Sequence, residues 1–281
     1  YSLGRAHGIT EPEIYTYFNI YGVETYNPMY PYRTAKFLQA LEGKENNTLD
    51  NKYYVSHGKH LKYLFDFIGV EYITVTKGVN PAEFYFQDTS TQKDLKKVFE
   101  NTTHDVYINM TVYPRYGLFY DIHPGMEDER ALLSIQNKTY DFSKTLVLKE
   151  NITDQISSSA GTVELVLSDV NSQLFKVKSS GNGILYVSDV NFPGWQASVN
   201  GKKTPVLTAN YLFRAVEVPS GESDVRFWYY PFSFVLGKWV SIISVIFCVF
   251  YSVFLLVAKR KKNVSNNSNY TSDTQKKTKF K

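Results

Sequence analysis

From Trp239 to Ala258 the chain reads WVSIISVIFCVFYSVFLLVA, twenty residues without a charged side chain. As a helix this run is about 30 Å long, the thickness of a bilayer's hydrocarbon core. Lys259, Arg260, Lys261 and Lys262 follow at once. Basic residues stay on the cytoplasmic side of a span, so the C-terminus is expected inside and everything before the helix outside. Tyr229, Tyr230, Phe232, Phe234 and Trp239 crowd the outer boundary, as an interfacial aromatic belt does.

The charge is divided by the same boundary. Residues 259–281 carry a net +7 and the other 258 residues a net −3, within a chain of +4 overall. The basic balance therefore belongs to the tail, which argues against nucleic-acid binding by a basic domain. The tail NVSNNSNYTSDTQKKTKFK is polar and without periodicity, and is expected to be disordered. The single cysteine, Cys248, lies inside the apolar run, so no disulfide can form within the chain. The first residues, YSLGRAHGITEPEIYTYF, have no continuous apolar core and do not read as a signal peptide. The chain reads as the C-terminal piece of a longer protein, or as a processed product.

The outer part changes character along its length. Residues 1–150 read as a mixed α/β extracytoplasmic segment. Helices are expected over 31–41, 60–68, 91–100 and 128–136, and strands over 70–76, 105–109, 117–122 and 145–149. Residues 151–231 read as an antiparallel β-sandwich. Seven short runs (162–167, 174–178, 183–190, 195–199, 204–207, 212–218 and 224–230) are separated by turn residues such as Pro193-Gly194 and Asn200-Gly201. Residues 232–258 form the transmembrane helix and 259–281 the tail. The fold class is α+β. Because the last strand runs straight into the span, the sandwich is expected on the bilayer surface. Trp195, Ala197 and Val199 fall on one strand face, which makes Trp195 a core anchor in preference to a sugar-stacking platform.

Several phrases, taken in order, resemble one family. They are YGVETYNPMYPYRTAKFLQAL (21–41), LKYLFDFIGVEYITVT (61–76), YPRYGLFYDI (113–122), YDFSKTLVLKEN (140–151) and GILYVSDVNFPGWQASVNGKKTPVLTANYLFRAVEVPSGESDVRFWYYP (183–231), then the span beginning FVLGKWVS. Their order and spacing resemble the C-terminal third of YfhO-type bacterial membrane proteins, and the 183–231 block is the most specific part. The resemblance implies a polytopic protein similar to glycosyltransferases of the GT-C fold. These take a sugar from a polyprenyl-phosphate carrier on the outer membrane face and act on envelope polymers such as lipoteichoic acid. It implies that the catalytic acids lie in outer loops of an N-terminal membrane domain, beyond this chain. No catalytic residue, metal site or cofactor is then expected here. Any divalent cation would belong to the N-terminal region, and the piece alone is expected to be inactive. The implied partners are the lipid bilayer, that N-terminal domain, the lipid-linked sugar and the envelope polymer.

Within this chain the segment Tyr26-Asn27-Pro28-Met29-Tyr30-Pro31-Tyr32-Arg33 is the strongest candidate for substrate contact. It is aromatic and turn-forming, and it places an arginine at a helix start, where phosphate is favoured. Tyr26, Asn27, Tyr30, Arg33 and Arg115 are the candidate substrate-binding residues. Arg214, within the strand-like LFRAVEV, reads as a cross-sheet partner. His57 and His60 lack a third ligand nearby, and Glu127-Asp128-Glu129 reads as an acidic helix start. A rival reading stays open: a non-catalytic, single-pass envelope protein whose sandwich binds glycan.

Overall fold

The computed structural model describes residues 2–4, 31–41, 60–157 and 159–278. Tyr26, Asn27 and Tyr30, and with them His57, lie outside the described residues. The chain divides into two compact units, Tyr1–Tyr229 and Tyr230–Lys281.

The first unit begins with a mixed sheet and its helices. Strand β1 (Ser2–Gly4) runs parallel to β2 (Tyr72–Thr76). Strands β3 (Leu95–Glu100) and β4 (His104–Asn109) complete an antiparallel remainder in the order β1-β2-β4-β3. Helix α1 spans Tyr32–Leu41 and α2 spans Lys62–Phe67. Gly69, at φ 77°, ends α2; its N–H and that of Val70 donate to the carbonyls of Asp66 and Phe65. Helix α3 (Pro81–Tyr85) starts on an Asn80 cap, whose side-chain oxygen accepts from the Ala82 N–H at 2.9 Å. The buried Lys62 ammonium is satisfied by Asp66, by Asn109 at 2.8 Å and by Thr111. That network ties α2 to the end of β4.

Residues 91–100 are not the expected helix. A 3₁₀ turn over Thr89–Asp94, capped by Asp88, leads into β3 at the sheet edge. Of its six residues only Leu95 is buried, so a helix here would have had no apolar face to dock. Pairing with β4 outweighs the favourable helix propensity of Leu, Lys and Glu, and the edge lysines suit an unpaired strand margin.

Two short strands, β5 (Tyr116–Phe119) and β6 (Asp121–His123), replace the single strand expected over 117–122. They belong to different sheets. β6 pairs in parallel with β7 (Thr145–Val147), and helix α4 (Asp128–Gln136) lies between them in sequence. β5 joins the sandwich.

That sandwich is built from β8 (Gly161–Asp169), β9 (Ser172–Ser179), β10 (Gly183–Val190), β11 (Trp195–Val199), β12 (Lys202–Thr204), β13 (Leu207–Ala209), β14 (Phe213–Val218) and β15 (Gly221–Tyr229). One antiparallel sheet has the order β13-β14-β10-β5 and the other β12-β11-β15-β9-β8. Pro205, which lacks an N–H for a ladder, parts β12 from β13 where one strand was expected.

The first of these sheets is buried on both faces. Ile184, Tyr186, Phe213 and Ala215 pack with the α/β elements, while Leu185, Val187, Val216 and Val218 pack against Phe175, Val177, Val225 and Phe227 of the facing sheet. This explains the unbroken apolar run ILYV in β10, where a half-buried strand would alternate. In β15, by contrast, Val225 and Phe227 are buried while Asp224 and Arg226 face water. Burying a side chain such as Phe227 is worth roughly 1.5–3 kcal/mol. Asn200 (φ 50°) and Gly201 (φ 77°) make the β11–β12 turn with both central residues left-handed, as a type I′ hairpin needs. Gly183 is required for another reason: a Cβ there would stand 2.7 Å from the Tyr120 ring.

The second unit holds helix α5, Phe232–Thr278. Its stretch Phe232–Val257, 26 residues, is long and apolar enough to cross a membrane. Phe247, Phe250, Phe254 and Leu256 are all more than 60% exposed in the chain alone, which suits a lipid-facing surface. Ser244 and Ser252 donate to the carbonyls of Val240 and Cys248 one turn back, at 2.8 Å each, and so hide their polarity. The helix continues past Ala258 to Thr278, over residues whose composition predicts disorder. No Gly or Pro interrupts 259–278, so nothing in the sequence stops a helix already nucleated by the span.

Candidate functional site

Two arginine clusters stand out, and they share no member. The first lies inside the sandwich. β10 and β14 pair regularly up to Val187↔Arg214, then slip to Val190↔Phe213. This β-bulge carries Ser188 and Asp189 and re-aims the Asp189 carboxylate. It accepts hydrogen bonds from Arg115 Nη2 (3.0 and 3.3 Å), Arg214 Nη2 (2.9 Å) and Gln173 Nε2 (2.7 Å). Arg214 Nη2 also reaches Gln173 Oε1 at 3.2 Å. Its guanidinium carbon lies 3.5 Å from the centroid of the Trp195 ring. One carboxylate thus ties β14, β10 and β9 together with the residue preceding β5.

The electrostatics follow from the packing. Burial pushes the Asp189 carboxyl up, but the Arg115 and Arg214 guanidinium groups and the Gln173 amide outweigh it and hold the carboxyl below the usual range. The Arg214 side chain is only 2% exposed. Arg214 therefore pairs across the sheet, as its place in a strand implies. Trp195 is half-buried and gives one ring face to Arg214, with Tyr229 5.4 Å away on centroids. That face is closed to a sugar, and Trp195 serves as an anchor at the margin of the core. Arg115 has a 23% exposed side chain but is committed to Asp189.

The second cluster surrounds Arg33, at the start of α1. Its Nη1 donates to Asp128 Oδ2 at 2.7 Å and its Nη2 to the Tyr211 carbonyl. Lys149 Nζ reaches the same Asp128 oxygen at 3.1 Å. The Arg33 guanidinium lies over the Tyr211 ring, 4.7 Å from its centroid. Tyr211 holds φ +68°, a left-handed conformation that an aromatic residue rarely adopts and that costs about 1–2 kcal/mol. The loop is fixed around it: Asn210 exchanges hydrogen bonds with Val147, its N–H donating at 2.7 Å and its side-chain oxygen accepting at 3.0 Å. Burial pushes the Tyr211 hydroxyl up, partly opposed by Arg33. Lys36 follows one turn on in α1, held above the usual lysine range chiefly by its hydrogen bond with the Tyr32 hydroxyl.

The structure therefore separates Arg33 and Arg115, two of the candidate substrate residues, into different settings. Arg33 has a 30% exposed side chain, and exposed Tyr32 and half-buried Lys36 lie beside it on α1. Asp189, Gln173 and Tyr211 are partners that the sequence reading did not single out. An aspartate inside the β-prone ILYVSDV was the available signal, because a strand accepts one only where it is paired. Tyr211 gave no such signal. Among the described residues, no three His, Cys, Asp or Glu side chains converge as a metal-binding group.

An α/β layer, a sandwich sharing one of its sheets and a C-terminal membrane helix define a membrane-anchored α+β protein. Residues 33–244, three quarters of the chain, match the family described as bacterial membrane protein YfhO, and the chain belongs to that family. It is similar to the "Uncharacterized protein YfhO" of Bacillus subtilis (strain 168), with 31% identity over 58 residues. The match covers 21% of this chain and 7% of that relative, so the chain corresponds to a small part of the relative's length. No solved structure matches the chain significantly.

Proposed function

We propose that this chain is the C-terminal extracytoplasmic part of a polytopic YfhO-type protein that glycosylates a cell-envelope polymer from a polyprenyl-phosphate-linked sugar, in the manner of GT-C enzymes. Membership of the YfhO family across residues 33–244 carries this reading. Residues 1–231 face outward and the basic tail inward, a topology supported by Lys259, Arg260, Lys261 and Lys262 directly after the span. The chemistry belongs to the N-terminal membrane domain, and this part shapes the substrate side. Arg33 is its best-suited anion contact. It lies at a helix start, it is partly exposed, and Asp128 and Tyr211 fix its orientation without enclosing it. Tyr26, Asn27 and Tyr30 precede this helix start in the sequence and remain candidates with it, and Arg115, in its separate cluster, is a further one.

The test is transfer of a fluorescent or radiolabelled sugar from a polyprenyl-phosphate carrier to an envelope polymer in vesicles. The full-length protein is expected to turn over and the 281-residue chain alone is not. Turnover by the chain alone, or none by the full-length protein with any lipid-linked sugar, would overturn the reading.

One observation favours the second reading, a non-catalytic glycan-binding sandwich. The outward face of the β12-β11-β15-β9-β8 sheet holds a shallow concavity lined by Leu174, Ser198, Lys203, Asp224, Arg226 and Trp228. Saccharide affinity lost in a folded Trp228→Ala protein would support it.

A further inference from the structure

The two ends of the sandwich differ in chemistry. At one end lie the β9–β10 and β14–β15 turns, made of Ser180, Gly181 and Asn182 and of Pro219 and Ser220, mostly polar and cross-linked by hydrogen bonds. At the other end the β8–β9 turn presents Val170, 86% exposed, with Leu167 just before it at 53%. The β10–β11 turn at this end presents Phe192, 43% exposed, whose ring lies 6.5 Å from that of Tyr229. Trp195 and Tyr229 pair with each other in register and complete an aromatic margin. A turn tip is ordinarily polar, and a valine this exposed gains nothing from the fold.

This apolar end is also the tethered end. The Tyr229 N–H donates to the Asn171 carbonyl at 2.9 Å, so the Val170 turn is fastened to the last residue of β15. Two residues, Tyr230 and Pro231, separate Tyr229 from the start of α5 in the sequence. Fully extended, that connection reaches no more than about 11 Å. The span beyond it holds the tether at the bilayer surface, and Tyr and Trp with an apolar body and a polar tip suit that layer.

We propose that this end of the sandwich is a lipid-contacting surface, with Val170, Leu167 and Phe192 entering the headgroup and upper acyl region of the bilayer that the chain's own helix spans. The proposal needs the membrane anchor but not sugar transfer. The two turns become a second attachment of the sandwich to the bilayer, and the polar turns lie about 25 Å from them along an eight-residue strand.

The whole 281-residue chain, with Cys248→Ser, is reconstituted in vesicles of zwitterionic and anionic phospholipid. An environment-sensitive fluorophore is placed at Val170→Cys in one sample and at Glu222→Cys in another. Both side chains are largely exposed, so labelling leaves the fold intact; Glu222 lies toward the polar end of β15. The Val170 probe is expected to be blue-shifted and quenched several-fold by phospholipids with a nitroxide near the headgroup. The Glu222 probe is expected to stay water-like and unquenched. Equal, water-like behaviour at both positions would overturn the proposal. A Val170 probe that is shielded from water yet quenched by no nitroxide lipid would overturn it too, since the cover would then be protein.

Discussion

Arg214 and Arg33 are held by the same kinds of group, an aspartate and an aromatic ring, yet the two sites differ in what they can still do. Arg214 meets Asp189 and Trp195 between two sheets, with 2% of its side chain exposed. Arg33 meets Asp128 and Tyr211 at the start of α1, with 30% exposed. Burial decides the outcome. In the interior the charges are desolvated, and their mutual satisfaction is a condition of folding. At the α1 surface water screens the pair, and the same contacts orient a guanidinium that remains accessible. The first arrangement suits a lock and the second a binding contact.

The largest effect that could break this contrast is expected at Asp189. In Asp189→Asn the buried Arg214 and the partly buried Arg115 guanidinium groups lose their counter-charge, and removing one partner of a buried pair costs about 3–5 kcal/mol. Chemical denaturation of the whole chain in detergent would measure it. A loss under about 1 kcal/mol would mean that Asp189 is not the tie between the sheets. The pH dependence has a definite sign. The folded carboxyl lies below its unfolded value, so its contribution is present above about pH 4 and is lost as the pH falls through the lower, folded value. The gap between wild type and Asp189→Asn should accordingly close in acid. A gap that widens there would reverse the assignment.

Trp195→Ala comes next, at about 3 kcal/mol, since the ring is half-buried and its loss uncovers Arg214. A stable Trp195→Ala protein that had lost saccharide affinity would return Trp195 to the role of a sugar platform. Arg33→Ala is expected to cost the least, about 1 kcal/mol or less for a partly exposed pair. A loss as large as that of Asp189→Asn would erase the distinction between the two clusters.

Much of the fold was legible in local pattern. The charge-free run, the 128–136 helix, the strands 183–190 and 195–199 and the Asn200-Gly201 turn each rest on neighbouring residues alone. What was not legible depends on partners far along the chain. β3 is a strand because β4 is beside it, and Tyr116–Phe119 completes the sandwich because Ile184–Val187 pairs with it. The site divided in the same way. An arginine in LFRAVEV announced a cross-sheet pair, but Asp189 was identified only by the bulge that aims it. The left-handed Tyr211 beneath Arg33 depends on Val147, more than sixty residues away.

The most direct test of the central claim is sugar transfer from a polyprenyl-phosphate carrier by the full-length membrane protein, wild type against Arg33→Ala, with melting temperature followed in the same samples. Turnover is expected to fall at least about tenfold, the 1.4 kcal/mol worth of one charged contact, with a melting temperature close to that of wild type. Unchanged turnover in a folded Arg33→Ala protein would contradict it.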